Sequence, residues 1–125
     1  MKALAGLALA CGVGSAAAGS LQDCAGGERV VSCLERAKEV ATEQMLERFL
    51  EVKQALEALG GRRAEQAADA LKQSQRAFER YLAEHCHGLE ALLADGAAPA
   101  LACETDLLRQ RASTLEAIDL GAERI

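Results

Sequence analysis

The sequence of residues 34–59 is LERAKEVATEQMLERFLEVKQALEAL, and its apolar residues recur at spacings of three and four. This period places them on one face of an amphipathic helix. They are Leu34, Ala37, Ala41, Met45, Phe49, Val52, Leu56 and Leu59. Gly60-Gly61 follows directly, and glycine commonly ends a helix. We therefore expect a long helix that starts within residues 28–32 and ends at about Leu59.

The polar side of this helix carries glutamates at four-residue intervals: Glu35, Glu39, Glu43, Glu47 and Glu51. Like charges at this spacing are neighbours on a helix and repel one another, so the face must be well solvated. A solvated face is the ordinary role of such residues. A row of carboxylates is also a candidate docking surface for a basic protein partner.

Two further helices are predicted along the chain. One runs from about Arg62 to Cys86 and ends near Gly88, with a possible further turn at residues 89–93. The other begins at residues 100–103, after a loop at 95–99, and frays from Gly121. Their predicted inward stripes are Ala67, Leu71, Ser74, Phe78, Tyr81 and His85, and then Leu108, Arg111, Leu115 and Ile118. No strand pattern is present, so we predict an all-α fold, a small antiparallel three-helix bundle.

The N-terminal residues 1–18 have the features of a secretory signal peptide. Lys2 precedes the uncharged apolar run of residues 3–10, and the small residues 16–18 offer a cleavage site after Ala18. The alternatives are a buried or amphipathic helix and a lipoprotein signal acylated at Cys11. Cleavage after Ala18 would leave a periplasmic or secreted domain of residues 19–125. The formal net charge would move from −5 to −6, because Lys2 is the only charged residue removed.

Four cysteines remain in that domain: Cys24, Cys33, Cys86 and Cys103. An even number in a small exported chain predicts two disulfides. The bundle topology brings all four to the same end, so each of the three possible connectivities stays open. We favour the local pairs Cys24–Cys33 and Cys86–Cys103, because they need the least long-range order. Each would stabilise the domain by roughly 3 kcal/mol.

The sequence offers little for catalysis, metal binding or nucleic-acid binding. His85, Cys86 and His87 are consecutive, and neighbours on a helix point about 100° apart, so they are not expected to converge on one metal ion. No nucleophile elbow or phosphate-binding loop is present, and an acidic chain disfavours nucleic acid. We expect a binding protein without a cofactor and not an enzyme.

Two polar residues fall on or beside the predicted inward stripes, Gln75 and Arg111. An unpaired buried charge is costly, so Arg111 needs a partner inside the protein. We expect an internal ion pair or hydrogen bonds to carbonyls at a helix end. Direct contact with a ligand is the alternative.

At these positions the chain resembles the LprI-type lysozyme-inhibitor family, whose central motif is Gln-Arg-Ala-Trp-x-x-Tyr-Arg-x-x-x-Cys. The matching residues are Gln75, Arg76, Ala77, Phe78, Tyr81 and Cys86. Cys24 and Cys33 match the family's opening cysteine pair. The closing Cys…Leu…Arg…Leu pattern is matched by Cys103, Leu107, Arg111 and Leu115.

This chain departs from the family pattern at several positions. Phe78 replaces the motif tryptophan, and Leu82 replaces the arginine after the tyrosine. The first helix of the family carries an Asp…Leu-Asn…Tyr pattern, where this chain has Thr42, Met45-Leu46 and Phe49. The resemblance implies an envelope protein that binds and inhibits host-type lysozyme. The alternative function is a periplasmic adaptor or structural module that contacts another envelope protein.

Overall fold

The computed structural model describes residues 19–25, 29–92 and 96–124, with side chains as far as Ile118. Every regular element in this part is helical, which confirms the all-α prediction. The helices are α1 (Gly19–Cys24), α2 (Val30–Leu59), α3 (Arg62–Leu92) and α4 (Ala97–Arg124). The predicted signal peptide at residues 1–18, with Cys11, lies outside the described residues.

The three long helices run up, down and up. Lys38 of α2 forms a salt bridge with Glu104 of α4. Further along both helices, Arg48 of α2 lies near enough to Glu116 of α4 for their charges to interact, so α2 and α4 are parallel. Arg111 of α4 contacts Gln75 of α3, and Cys103 is joined to Cys86. From one contact to the other, residue numbers increase along α4 and decrease along α3, so α3 is antiparallel to α4.

The hydrophobic core lies between these long helices and contains six buried residues: Ala41, Met45, Val52, Leu71, Leu108 and Leu115. Partly buried side chains pack around them, namely Phe49, Leu56, Phe78, Leu82 and Ala112. A second, smaller cluster at the cysteine end consists of Cys24, Leu34 and Ala102. The stripe of α2 therefore supplies the core as predicted, except that Leu59 at its end is exposed.

The prediction of three helices is wrong, because α1 is a fourth. Six residues are too few to show a helical period, so α1 could not be recognised from the sequence pattern. Tertiary contacts hold α1 in place. Ser20 is buried; its hydroxyl donates to the carbonyl oxygen of Ala102 at 3.2 Å, and its backbone N–H donates to Asp106 Oδ1 at 3.3 Å.

Two disulfides close the cysteine end of the bundle. They join Cys24 to Cys33, with 5.7 Å between the Cα atoms, and Cys86 to Cys103, with 5.6 Å. These are the two local pairs that were favoured from the sequence, and the structure confirms them. The first ties α1 to the start of α2, and the second ties the end of α3 to the start of α4.

The predicted end of α3 at Gly88 is wrong, because the helix continues to Leu92. A glycine inside a helix costs only about 1 kcal/mol relative to alanine. A single glycine therefore does not by itself end a helix. The end of α2 at Leu59 is confirmed. Gly60 and Gly61 have φ angles of 69° and 88°, a region that favours glycine.

The loop predicted at residues 95–99 does not extend to Pro99, because α4 begins at Ala97. Pro99 therefore lies in the first turn of α4, where the missing proline N–H would have no partner within the helix. The carbonyl oxygen of Gly96 accepts from the N–H of Ala100 at 2.9 Å. At its other end α4 continues through Gly121 to Arg124, so the fraying predicted from Gly121 is also wrong.

The inward face of α3 is rotated from the predicted stripe. Leu71 is buried and Phe78 is partly buried, as expected, but the other predicted inward residues are exposed: Ala67, Ser74, Tyr81 and His85. The buried residues are Ala64, Ala68, Leu71, Gln75 and Cys86. Alanines on both faces give a weak apolar signal, and tyrosine and histidine can present a polar tip to water. On α4, Leu108 and Leu115 are buried as predicted, whereas Ile118 is exposed.

None of the helices within residues 19–25, 29–92 and 96–124 has a stretch both long and apolar enough to cross a bilayer.

Candidate functional site

The candidate docking surface is the acidic face of α2. Its helical spacing aligns five glutamates along one side, and the structure places Glu35, Glu39, Glu43 and Glu47 in exposed positions. None of these four forms a salt bridge with another described residue. Their carboxylates therefore face water and present negative charge over three turns of helix.

Glu51, the last of the row, differs from the other four. Its carboxylate accepts a hydrogen bond from the guanidinium of Arg48 one turn earlier, and its side chain is only partly exposed. This hydrogen bond raises the pKa of Arg48, and the charge of Glu51 adds to the effect. Because its charge is compensated within α2, Glu51 contributes less to the acidic face than the sequence predicted.

An open groove of about 490 Å³ lies at the start of this face, between α2 and α4. Three of the glutamates line it, and the other lining residues are Lys38, Thr42 and Leu101. Lys38 Nζ lies 2.9 Å from Glu104 Oε2 of α4, so its positive charge is compensated. The groove thus keeps an acidic rim of Glu35, Glu39 and Glu43. A lysine or arginine side chain of another protein has the charge to enter it.

The part of the groove contributed by α4 was not predicted. Leu101 and Glu104 lie near the start of α4, a region whose first residues were expected to form a loop. The parallel packing of α2 and α4 brings them beside Lys38. Sequence spacing along α2 identifies the glutamates, but it carries no signal for which residues of another helix complete the groove.

The family-motif residues form a polar cluster between α3 and α4. Gln75 is 5% exposed, and its Oε1 accepts a hydrogen bond from Arg111 Nε at 3.1 Å. Its Nε2 lies 3.1 Å from Glu79 Oε2 and 3.1 Å from Met45 Sδ. The amide of Gln75 therefore uses both its acceptor and its donors, as a buried amide must.

Arg111 is partly buried, but its partners differ from the expected ones. Its Nη2 donates to Ser74 Oγ at 3.0 Å, and its guanidinium carbon lies 5.6 Å from the centre of the Phe78 ring. Among the described residues no carboxylate forms a salt bridge with it, and it donates to side chains instead of helix-end carbonyls. Burial lowers the pKa of Arg111, because desolvation disfavours the charged guanidinium.

Two of the other motif residues, Arg76 and Tyr81, lie on the surface. Arg76 is exposed, and Tyr81 is 51% exposed. The Tyr81 ring stacks on His85 one turn later, with 5.0 Å between ring centres and 10° between the ring planes. The motif therefore has a packed part, which consists of Gln75, Phe78 and Cys86, and an exposed part. The cluster includes Glu79, which was not singled out from the sequence although it follows Gln75 at helical i, i+4 spacing.

The consecutive residues His85, Cys86 and His87 do not form a metal site in the described part of the chain, where no group of potential ligands converges. Cys86 is buried and bonded to Cys103. Both histidines are exposed. Since the sulfur of Cys86 is in a disulfide, it offers no thiolate to a metal ion or a substrate.

Comparison with known proteins agrees with this arrangement. A family model described as "Lysozyme inhibitor LprI" matches residues 21–115, which is most of the chain. The match includes both disulfides, the acidic face of α2 and the cluster around Gln75 and Arg111. Neither a curated protein nor a solved structure matches the chain. The chain therefore belongs to the LprI lysozyme-inhibitor family.

Proposed function

We propose that this protein binds and inhibits a basic, host-type lysozyme outside the cytoplasm, in the periplasm or after secretion. The observation that carries the proposal is the groove whose rim holds Glu35, Glu39 and Glu43 without salt bridges to other described residues. Family membership supports inhibition over catalysis, because the family is named for inhibitors. Both disulfides support an oxidising compartment.

Electrostatics would make the acidic face the first point of contact. A domain of residues 19–125 has a formal net charge of −6, because the whole-chain value of −5 includes Lys2. A basic lysozyme would be attracted to it, and attraction between opposite charges speeds association. After contact, a lysine or arginine of lysozyme would enter the groove beside Leu101. The docked domain would then block access of cell-wall substrate.

The experiment is inhibition of a basic lysozyme on bacterial cell walls, at salt concentrations of about 0.1 M and 1 M. The screening length falls from about 10 Å to about 3 Å over this range. We expect strong inhibition at low salt and weak inhibition at high salt. Each measurement is divided by the activity of lysozyme alone at the same salt, because turnover on cell walls itself depends on salt.

A charge-matched pair of variants locates the docking face. Glu39→Gln/Glu43→Gln/Glu47→Gln removes three negative charges from the acidic face of α2. Asp69→Asn/Glu84→Gln/Glu90→Gln removes three exposed charges from α3 and serves as the control. We expect the first variant to slow association at low salt several-fold more than the control does. Equal effects would mean that net charge alone matters and that α2 is not the docking face.

The alternative function, an adaptor or structural module in the envelope, makes a different prediction. Such a protein would bind another envelope protein through its helix faces and would leave lysozyme activity unchanged at every salt concentration. Absence of inhibition by the wild-type protein at 0.1 M salt would therefore reject the proposed function in favour of this module.

A further inference from the structure

The exposed side of α2 carries two leucines within its acidic face. Leu46 is 42% exposed and Leu50 is 48% exposed. They are four residues apart, so they are neighbours on the helix surface. Glu39, Glu43, Leu46 and Leu50 follow one another at spacings of four, three and four, which forms a single stripe along the helix. Glu47 adjoins this stripe three residues before Leu50.

A pair of exposed leucines inside a charged face differs from the single exposed apolar residues found on most protein surfaces. Neither leucine belongs to either hydrophobic cluster of the described structure, so neither is needed to fill the core. Protein interfaces commonly have an apolar centre that is surrounded by a polar rim. Leu46 and Leu50 have this relation to Glu39, Glu43 and Glu47.

We propose that Leu46 and Leu50 are the apolar anchor of the docking surface, and that Glu39, Glu43 and Glu47 are its acidic rim. The proposal rests on the function proposed above and extends it to the residues that hold the complex together. The partner that fits is a basic protein surface on which an apolar side chain lies among lysines and arginines. The acidic groove ends at Glu43, and Leu46 lies in the next turn of α2, so the two features form one continuous surface.

Charge distinguishes this partner from the other surfaces that could cover the two leucines. A second copy of the chain would bring its own glutamates against Glu39, Glu43 and Glu47, and like charges in an interface oppose association. An anionic bilayer surface would be repelled for the same reason. A basic protein surface is attracted to the rim and covers the leucines at the same time.

The anchor and the rim should differ in kinetics and in salt dependence. Attraction between exposed charges is screened by salt and acts mainly on the association rate. Burial of apolar surface is not screened, and loss of a buried anchor acts mainly on the dissociation rate. The two leucines should therefore determine how long the complex lasts, and the glutamates how fast it forms.

The test measures association and dissociation rates with immobilised basic lysozyme, at salt concentrations of about 0.1 M and 1 M. The variant is Leu46→Ala/Leu50→Ala, in which alanine preserves the helix. The matched control is Leu59→Ala/Leu92→Ala, which truncates two exposed leucines outside the docking surface. We expect the first variant to dissociate about tenfold faster or more, at both salt concentrations. The control should match the wild-type protein.

Three results would contradict the proposal that Leu46 and Leu50 anchor the complex. Wild-type dissociation rates in the Leu46→Ala/Leu50→Ala variant, with wild-type inhibition intact, would reject the anchor and leave the proposed function standing. A wild-type dimer in sedimentation that this variant abolishes would assign the leucines to self-association. No binding or inhibition by the wild-type protein at any salt would reject the proposed function and the anchor together.

Discussion

Nε of Arg111 on α4 donates a hydrogen bond to Oε1 of Gln75 on α3, across 3.1 Å. This bond connects a partly buried cation to a buried amide, and the amide also reaches Glu79 and Met45. Arg111 therefore links α4 to α3 halfway along the bundle, far from the disulfide end. The contact explains how a charge can lie beside Leu108 and Leu115 without a carboxylate partner among the described residues.

We expect Arg111→Ala to lower the free energy of unfolding by roughly 1–3 kcal/mol, because it leaves the buried amide of Gln75 without its partner. Gln75→Ala should have a similar effect. The double variant should lose less than the sum of the two, by about 1 kcal/mol. Urea denaturation of the three variants measures this coupling, and the exposed Arg76→Ala is the control. Coincident denaturation curves for wild type and Arg111→Ala would show that Arg111 contributes nothing to stability.

The two disulfides should contribute unequally to stability. Their sequence separations are 9 residues for Cys24–Cys33 and 17 for Cys86–Cys103. In the chain-entropy model they correspond to about 2.5 and about 3 kcal/mol, because the longer loop loses more freedom when it is closed. Urea denaturation of the variants Cys24→Ala/Cys33→Ala and Cys86→Ala/Cys103→Ala tests which disulfide stabilises the protein more.

Oxidation of the native protein is a separate prediction. We expect the protein without residues 1–18 to carry no free thiol, since its four cysteines form the pairs Cys24–Cys33 and Cys86–Cys103. Treatment with a thiol-alkylating agent under denaturing, non-reducing conditions should leave the mass unchanged. Two or more alkylated cysteines would contradict the disulfides.

Two glycines near the junction of α3 and α4 should respond in opposite ways to alanine. A Cβ added at Gly96 would lie 2.5 Å from Cα and 2.7 Å from the carbonyl oxygen of Glu90, so the backbone would have to move. Gly96→Ala should destabilise the protein by roughly 1–3 kcal/mol. At Gly88 a Cβ would meet nothing within 4 Å. Gly88→Ala should stabilise α3 by about 0.5–1 kcal/mol. Thermal melts of both variants measure the two changes in stability. Changes of the same sign in both variants would contradict this geometry.

The acidic face should contribute nothing to stability. Glu39→Gln/Glu43→Gln/Glu47→Gln removes four like-charge pairs at i, i+4 spacing, each unfavourable by about 0.2–0.5 kcal/mol at low salt. We expect its Tm at low salt to equal or exceed that of the wild-type protein, and the difference to shrink at 1 M salt, where the repulsion is screened. Circular dichroism at two salt concentrations measures this. A lower Tm would mean that one of these carboxylates stabilises the fold.

Much of the candidate site could be predicted from spacing along one helix. Glutamates four residues apart must share a face whatever the rest of the chain does, and four of the five are exposed as this spacing implies. The groove beside them could not be predicted, because Leu101, which lines it, and Glu104, which pairs with Lys38, belong to α4. Their position depends on how two distant segments pack. The same holds for Arg111, whose partners Gln75 and Ser74 lie on α3.

The sequence alone predicted the features that depend on local chemistry: the helical class, the length of α2, its end at Gly60-Gly61, and two disulfides. These follow from hydrophobic period, from the backbone freedom of glycine and from the number of cysteines. Where local preferences were weak, packing between the helices determined the result. Small apolar side chains lie on both faces of α3, so packing within the bundle buries Ala64 and Ala68 and leaves Ala67 exposed. The penalty for a helical glycine is only about 1 kcal/mol, so Gly88 does not end α3, which continues to Leu92.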